Sequence, residues 1–358
     1  MLKGISFRKV CMYILTCSTL IMLVMVGCDN SAGSLDSLES TSSLSSLELK
    51  SGYHDAEYEG MTDKGAAFLV CGTDGRLDRI FEDGTVENIP LPVGNKALTK
   101  VLITDDLTLV GGESGALVYS RDGKEFKPSK GVGEEHILGL AQFKGKYYAC
   151  TYSGKILSSS DGLSWGVDKK LSDKPLIAIA ANSSYLMAIT EDTDIFKSED
   201  GADWDMQNYN TVYKDLAELQ SFRNIVNLGE NMYVLGSSYE NPSDPSVMFS
   251  SDGGEIWIYV DSMRINNRPP EEFYPLNIYS VRFLGNELLA ACDRGRLLTF
   301  TDCPSCNTIA DISNRDLRCI AVSDNFVLAA GDDFEFSVLS AAKLRVLNAL
   351  ASERAIAN

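Results

Sequence analysis

One short motif recurs four times along the chain. Ser120-Arg121-Asp122-Gly123 runs to Phe126, Ser159-Ser160-Asp161-Gly162 to Trp165, and Ser198-Glu199-Asp200-Gly201 to Trp204. A fourth copy, Ser250-Ser251-Asp252-Gly253-Gly254, ends at Trp257. The first three aspartates stand 39 residues apart. A period of this length belongs to propellers, solenoids and arrays, whose units bury their apolar faces only against one another.

The echo extends past the motif. Val101, Leu140 and Ile179 keep the same interval inside short apolar runs, as do Gly115 and Gly154. Asp83 begins a weaker copy upstream, and Ile225, Val281 and Ile320 open comparable units downstream. Thr301-Asp302 stands where a sixth motif falls, so the count is seven units. The third unit reads as strands near 137–143, 146–151, 155–160 and 164–170, rich in Val, Ile, Tyr and Leu and broken by Gly, Asp, Asn and Ser. No apolar period of 3.6 residues in this region is long enough to compete as a helix. The prediction is an all-β fold, a seven-bladed β-propeller with four-stranded antiparallel blades.

Within a unit the motif falls on the hairpin between the third and fourth strands. Its Gly accepts a positive φ, and its Asp carboxylate can take hydrogen bonds from the N–H groups of the turn. The closing Trp or Phe opens the outer strand and can bury a large ring against the next blade. These residues (Ser120, Asp122, Gly123, Phe126; Ser159, Asp161, Gly162, Trp165; Ser198, Asp200, Gly201, Trp204; Ser250, Asp252, Gly254, Trp257) resemble the Asp-box, or BNR, repeat. The resemblance covers residues 65–340. It implies a propeller whose Asp-boxes lie on the rim away from the active face, so these aspartates are expected to staple turns and bind no substrate or metal.

Residues 1–27 carry Lys3, Arg8 and Lys9 ahead of an apolar stretch from Val10 to Val26. Met25-Val26-Gly27-Cys28 resembles a lipobox, which implies a lipoprotein signal and lipid attachment at Cys28. An uncleaved anchor and an ordinary secretory signal are the alternatives. Residues 28–51, rich in Ser, Leu and acid, read as a flexible tether, 52–350 as the propeller, whose last outer strand either residues 44–50 or residues 343–350 can supply, and 351–358 as a frayed tail. The chain is then exported and membrane-anchored at the cell envelope, on the periplasmic side or the cell surface. Loss of residues 1–27 takes the formal charge from -18 to -21. So acidic a surface argues against nucleic acid and against docking on anionic lipid, and leaves cationic partners, metal ions or plain solubility as its explanation; a monomer is expected.

Cys11 and Cys17 leave with the signal, while Cys71, Cys150 and Cys292 fall at the ends of second strands and Cys319 in an innermost one. The three in second strands are expected to be small buried residues. Cys303-Pro304-Ser305-Cys306 occupies a hairpin in place of an Asp-box. It reads as a local disulfide or a plain turn, because redox use needs a helix N-terminus beside the thiol and zinc needs a second pair. With His54 and His136 the only histidines, no metal site or cofactor is expected.

Antiparallel blades put every second-to-third turn and every blade-to-blade connection on one face. Against the 39-residue template the fifth and sixth units carry extra length between Trp204 and Ile225, between Gly236 and Asp252, and between Trp257 and Val281. All three insertions belong to that face, where repeat proteins build binding surfaces. They hold Tyr209, Tyr213, Tyr239, Arg264, Arg268, Phe273 and Tyr274, types favoured in interface hot spots, although packing of the loops onto the disc serves equally. Glu113, Glu191, Asp192, Asp293 and Asp332 are expected to surround them with acid.

Three functions compete. Asp-boxes also occur in sialidases, but Phe222-Arg223-Asn224-Ile225 comes late and lacks the proline of the sialidase motif, and no arginine triad is legible. A propeller glycosidase with two opposed carboxylates remains the enzyme alternative. The repeat length, the seven units and the Asp-Gly-x-x-Trp ending resemble the photosystem II stability and assembly factor family, which implies an exported or lipid-anchored propeller without catalysis. That resemblance favours a non-catalytic scaffold contacting an envelope protein or glycan, with a surface adhesin or receptor component as the third reading.

Overall fold

The computed structural model describes residues 49–212, 219–238, 245–250, 257–260, 264–265, 277–302 and 305–357. Among these residues lie seven sheets whose long strands pair antiparallel in chain order. Blade one holds β1 (Tyr53–Thr62), β2 (Gly65–Gly72), β3 (Leu77–Phe81) and β4 (Val86–Asn88). Blade two holds β5 (Leu98–Ile103), β6 (Thr108–Gly112), β7 (Leu117–Ser120) and β8 (Lys127–Pro128). Blade three holds β9 (Ile137–Phe143), β10 (Lys146–Thr151), β11 (Lys155–Ser159) and β12 (Gly166–Lys170), close to the strands read from the sequence. Blade four holds β13 (Leu176–Ala181), β14 (Leu186–Thr190), β15 (Asp194–Ser198) and β16 (Asp205–Asn208). A four-residue helix, α1 (Tyr209–Val212), follows.

Blade five holds β17 (Leu219–Leu228), β18 (Asn231–Ser238), β19 (Pro245–Ser250) and β20 (Ile258–Val260). Blade six gains a fifth member: β21 (Arg264–Ile265) pairs parallel with β25 (Ser305–Asp311), outside β22 (Ile278–Leu284), β23 (Glu287–Cys292) and β24 (Arg296–Asp302). Blade seven has three strands, β26 (Leu317–Val322), β27 (Phe326–Gly331) and β28 (Phe336–Ser340). The first strand of each blade packs against the first strand of the next, and β26 returns to β1. The ring is closed.

Each core cluster bridges two blades. Phe68, Val70 and Ile80 of blade one meet Cys319, Leu328 and Ala330 of blade seven, and six further clusters join the successive pairs. Second strands are therefore buried on both faces, which is why runs such as Leu186-Met187-Ala188-Ile189 lack alternation. Outer strands such as Gly166–Lys170 are exposed throughout. Cys71, Cys150, Cys292 and Cys319 are buried thiols with no disulfide, and burial pushes the Cys150 thiol up to about 12.

The repeated hairpins owe their shape to the aspartates. The Asp122 Oδ1 accepts from the Lys124 and Glu125 N–H groups at 2.9 Å each and from the Ser120 hydroxyl at 3.0 Å. Asp161 and Asp200 repeat the arrangement with Leu163 and Ser164, and with Ala202 and Asp203. In the degenerate first copy Asp83 still caps the Thr85 N–H at 2.8 Å. The aromatic that closes each copy packs into the seam with the preceding blade: Phe126 with blade one, Trp165 with blade two, Trp257 with blade four. The Trp165 indole donates to the Gly162 carbonyl at 2.9 Å, and its own N–H reaches back to Lys130 of blade two.

The seventh blade departs from expectation. The sequence reading offered residues 44–50 or 343–350 as its outer strand and left 351–358 as a tail. Residues 49–50 form no strand, and residues 44–48 lie outside the described portion. Residues 343–350 belong instead to helix α2 (Ala341–Ala357), which also takes in most of the supposed tail. Ala341 and Leu344 enter the core between blades six and seven, and the Thr299 hydroxyl of β24 donates to the side-chain Oδ1 of Asn348 at 2.6 Å. Spacing of three and four residues between these contacts is the helical stripe that the strand reading overlooked. Closure comes from Asp333 N–H bonding the Ser51 carbonyl at 2.8 Å and a bridge between Gly52 and Asp332.

Candidate functional site

Strand alternation fixes two faces. The second-to-third turns and the blade connections share one, called upper here, and the Asp-box hairpins lie on the lower. The ends of β16 and β20 and the starts of β17 and β22 all lie at the upper edge, where the three insertions were expected. Of the seven residues assigned to that surface, Tyr213, Tyr239, Arg268, Phe273 and Tyr274 lie outside the described residues. Arg264 sits in the edge strand β21 opposite Ser305, where β24 ends and β25 starts, which is the lower side of the sheet and not the upper one expected, and its side chain is likewise outside the description.

Tyr209 is described, and it is not a surface residue. It is 1% exposed, because α1 turns it inward against Phe222 (ring centroids 6.4 Å apart) and the cluster holding Trp257. Cys28, Asp252, Gly254 and Cys303 also fall outside the described residues. Cys306 lies in β25 opposite Phe300, and Ser250 ends β19. Asp122, Asp161 and Asp200 are spent inside their own turns on the lower face. Among the described residues no group of His, Cys, Asp and Glu could hold a metal ion, and no helix is long and apolar enough to cross a membrane.

A different set of residues rings the upper ends of the innermost strands. Each of the seven innermost strands carries a register shift directly after its first residue. The extra residue is His54, Thr99, Leu138, Ile177, Gln220, Tyr279 or Arg318 in chain order. A bulge unpairs one residue and re-aims its side chain, and bulges concentrate beside functional openings. All but Gln220, whose side chain is not described, are half-buried. Thr99, Leu138 and Ile177 stand 39 residues apart, as do Tyr279 and Arg318, so the periodicity held a signal for them.

Several of these side chains reach the neighbouring blade. A His54 ring nitrogen lies 2.9 Å from the Leu98 carbonyl, and the Thr99 hydroxyl donates to the Ile137 carbonyl at 2.5 Å. Tyr279 donates to Asp316 at 3.1 Å, and the Arg318 guanidinium lies over the Tyr279 ring, 4.0 Å from its centroid. Asp332 takes Arg318 Nε at 2.7 Å and Asp316 takes Nη2 at 3.0 Å. Burial, aided by Asp316 and opposed by the Arg318 cation, pushes the Tyr279 phenol up to about 12. Burial works against ionised Asp316, but the Arg294 N–H and Arg318 hold its carboxyl below the usual range. Tyr279 and Arg318 thus form a fixed aromatic and cationic plate. Leu138 and Ile177, on blades three and four, give the mouth an aliphatic side. The ring is chemically lopsided.

The acidic surround is not bare acid. Asp293 pairs with Arg296 at 2.7 Å, Asp192 with Lys174 at 2.6 Å, Glu191 with Arg223 at 3.6 Å and Asp332 with Arg318 at 2.7 Å. Glu113 faces the Ala97 N–H at 3.3 Å.

Residues 84–282, more than half the chain, match the profile of a family described as the DUF6242 beta propeller domain. Comparison with curated proteins gives no match. Among solved structures, "YCF48 bound to D1 peptide" superposes with a TM-score of 0.60 at 16% identity, covering 82% of this chain and 95% of that one. YCF48 from Cyanidioschyzon merolae gives 0.59 at 14%, covering 81% and 95%. The WD40 beta propeller domain of Doa1 gives 0.59 at 10%, covering 82% and 93%. Such identities establish a shared fold alone.

Proposed function

The chain belongs to the DUF6242 beta-propeller family, and from that premise we propose that it is a non-catalytic scaffold which captures a segment of an envelope protein at its upper channel mouth. The observation that carries this reading is the ring of bulged residues, aliphatic at Leu138 and Ile177 and aromatic-cationic at Tyr279 and Arg318. A mouth with apolar, hydrogen-bonding and charged sectors suits a peptide, which offers all three. The solved structure of similar fold, "YCF48 bound to D1 peptide", supports a peptide as the class of ligand. The lipobox at Cys28 and the tether to residue 51 supply the membrane anchor in this proposal, holding the disc beside envelope proteins.

The test is crosslinked capture from membranes with the anchored protein as bait. Leu138→Glu and Ile177→Glu place charge on the aliphatic side of the mouth and should abolish recovery of the captured protein. Val167→Glu on the outer strand β12, at a residue 59% exposed, should leave recovery unchanged. Equal recovery by folded mouth variants sinks the proposal. Turnover of a fluorogenic sialoside by the purified protein would establish the glycosidase reading in its place.

A further inference from the structure

The free edges of the innermost strands face the channel, so their backbone N–H and C=O groups need partners there. On the side of blades six, one and two, charged side chains provide them. Asp55 Oδ2 accepts the Val101 N–H at 2.9 Å, and Arg282 donates to the Val281 carbonyl at 3.0 Å and reaches the Ala56 carbonyl at 3.5 Å. The same atoms form one chain of ion pairs. Lys100 meets Asp55 at 3.2 Å, Asp55 meets Arg282 at 3.5 Å, and Arg282 meets Glu57 at 2.7 Å. Two anions balance two cations.

Beside this quartet the channel widens into a cavity of about 500 Å³. Its lining includes Thr104 and Asp105 of the first-to-second turn of blade two, together with the lower halves of β5, β9, β13 and β17. The cavity therefore belongs to the lower part of the channel, opposite the bulged ring. Its far wall carries Ala141, Ala178, Ala180 and Ala181, with Gln142, Asn224 and Asn227 among them. Glu57 keeps about a third of its side chain accessible, and Lys100 and Arg282 about a fifth each, although all three stand on innermost strands. That accessible surface faces the cavity.

Hydrogen-bonding capacity is left over at both ends of the quartet. An ammonium has three donors, and Lys100 uses one, on Asp55. A carboxylate has two oxygens, and among the described residues only Oε1 of Glu57 is engaged, by Arg282. Burial raises the proton affinity of Glu57 against the pull of Arg282, so a further cation nearby would hold its charge. A channel cavity of this size, open to solvent and bringing several charged and amide side chains together, has the room and the hydrogen-bonding groups to hold a small polar molecule.

The geometry points to a second binding site in the lower channel for a small zwitterion of the amino-acid class, its carboxylate on Lys100, its ammonium on Glu57 and its body against Ala141 and Ala180. The site is independent of the upper mouth, so its success or failure leaves the capture proposal untouched.

The test is thermal unfolding of the full chain with a panel of free L-amino acids at about 10 mM, with propionate and propylamine as single-charge controls. At least one amino acid should raise the midpoint by roughly 3–6 °C at a hundredfold excess over its Kd, with no effect from either control. Lys100→Met and Glu57→Gln should each remove the shift. If either fails to fold, Gln142→Trp, at an exposed residue of the lining, fills the cavity without touching the quartet and should remove the shift as well. No shift from any amino acid, an equal shift from propionate or propylamine, or a shift that survives in folded Gln142→Trp would overturn the assignment.

Discussion

Phe334 meets Tyr53 edge to face, with ring centroids 5.2 Å apart, across the seam that joins the last blade to the first. It does so from a backbone φ of 60°, in the turn position that Gly75, Gly115, Gly154 and Gly295 hold in other blades. In those blades a Cβ would strike the carbonyl of the blade connection at about 2 Å, so only glycine fits. Blade seven is followed by no such connection, and the space admits a ring. Arg76 lies over the Phe334 ring at 4.5 Å and bonds Asp78, which also takes the Tyr53 hydroxyl at 2.5 Å. Strain at one residue is thus offset by a polar and aromatic clasp.

Replacing Phe334 separates the two terms. Phe334→Ala loses the ring and keeps the unfavourable φ, and should destabilise by about 2–3 kcal/mol. Phe334→Gly loses the same ring but relaxes the backbone, and should recover about 1 kcal/mol of that. Urea unfolding of both variants checks the order. An alanine variant as stable as the glycine one would mean that the backbone is not strained.

The Asp-box turns carry a pH signature. The Glu125 and Lys124 N–H groups, then the Ser120 hydroxyl, hold the Asp122 carboxyl down at about 2. An unfolded aspartate titrates near ~3.9, so the folded value is depressed and the stabilisation is complete above that value. It disappears as pH falls through about 2. In Asp122→Asn the amide oxygen can still accept both N–H bonds but carries no titrating charge. The stability gap between wild type and this variant should stay constant from neutral pH to about pH 5 and close between about pH 4 and 2. Asp161 and Asp200 are lowered by the same kind of bonds, so their variants should behave alike. A gap indifferent to pH across that range contradicts the account.

Two glycines two residues apart offer a matched comparison. Gly131 (φ 81°) and Gly133 (φ 67°) both occupy the left-handed region. A Cβ at Gly133 meets nothing within 4 Å, whereas one at Gly131 would lie 2.0 Å from the Trp165 carbonyl. That carbonyl cannot retreat without loosening the bridge between Lys130 and Ser164 that ties blades two and three. Gly133→Ala should cost only backbone strain, about 1 kcal/mol. Gly131→Ala adds overpacking against backbone and should cost about 3 kcal/mol or more. Thermal midpoints of the pair decide it, and equal losses would show that the seam is softer than drawn.

What could be read in advance was what repeats. The 39-residue interval located the blades, and Val, Ile and Leu runs bounded by Gly and Asp located strands such as Ile137–Phe143. Features that depend on residues distant in the chain were not legible. Asp332 looked like bare acid because Arg318 becomes its neighbour only when β26 and β27 are paired, whereas Arg296 stands three residues from Asp293 and was within reach of a local reading. Tyr209 looked like a loop aromatic because nothing local announces that one helical turn will fold it onto Phe222. The bulged ring was encoded at Thr99, Leu138 and Ile177, but one residue of excess per strand is invisible until register is known.

The C-terminal segment allows the two readings of residues 343–350 to be told apart by mutation. In a strand, Leu344, Val346 and Asn348 would share a face, since side chains alternate. In helix α2 they do not: Leu344 is 2% exposed and Val346 is 59% exposed, while Leu350 stands at 48%. Asn348, one turn beyond Leu344, points back to Thr299 of blade six. Leu344→Ala should therefore cost about 2–4 kcal/mol, because it opens a cavity between blades six and seven. Val346→Ala and Leu350→Ala should each change stability by about 0.5 kcal/mol or less. Chemical denaturation of the three variants gives the answer. Comparable losses at Leu344 and Val346 would restore the outer strand and remove the helix from the seam.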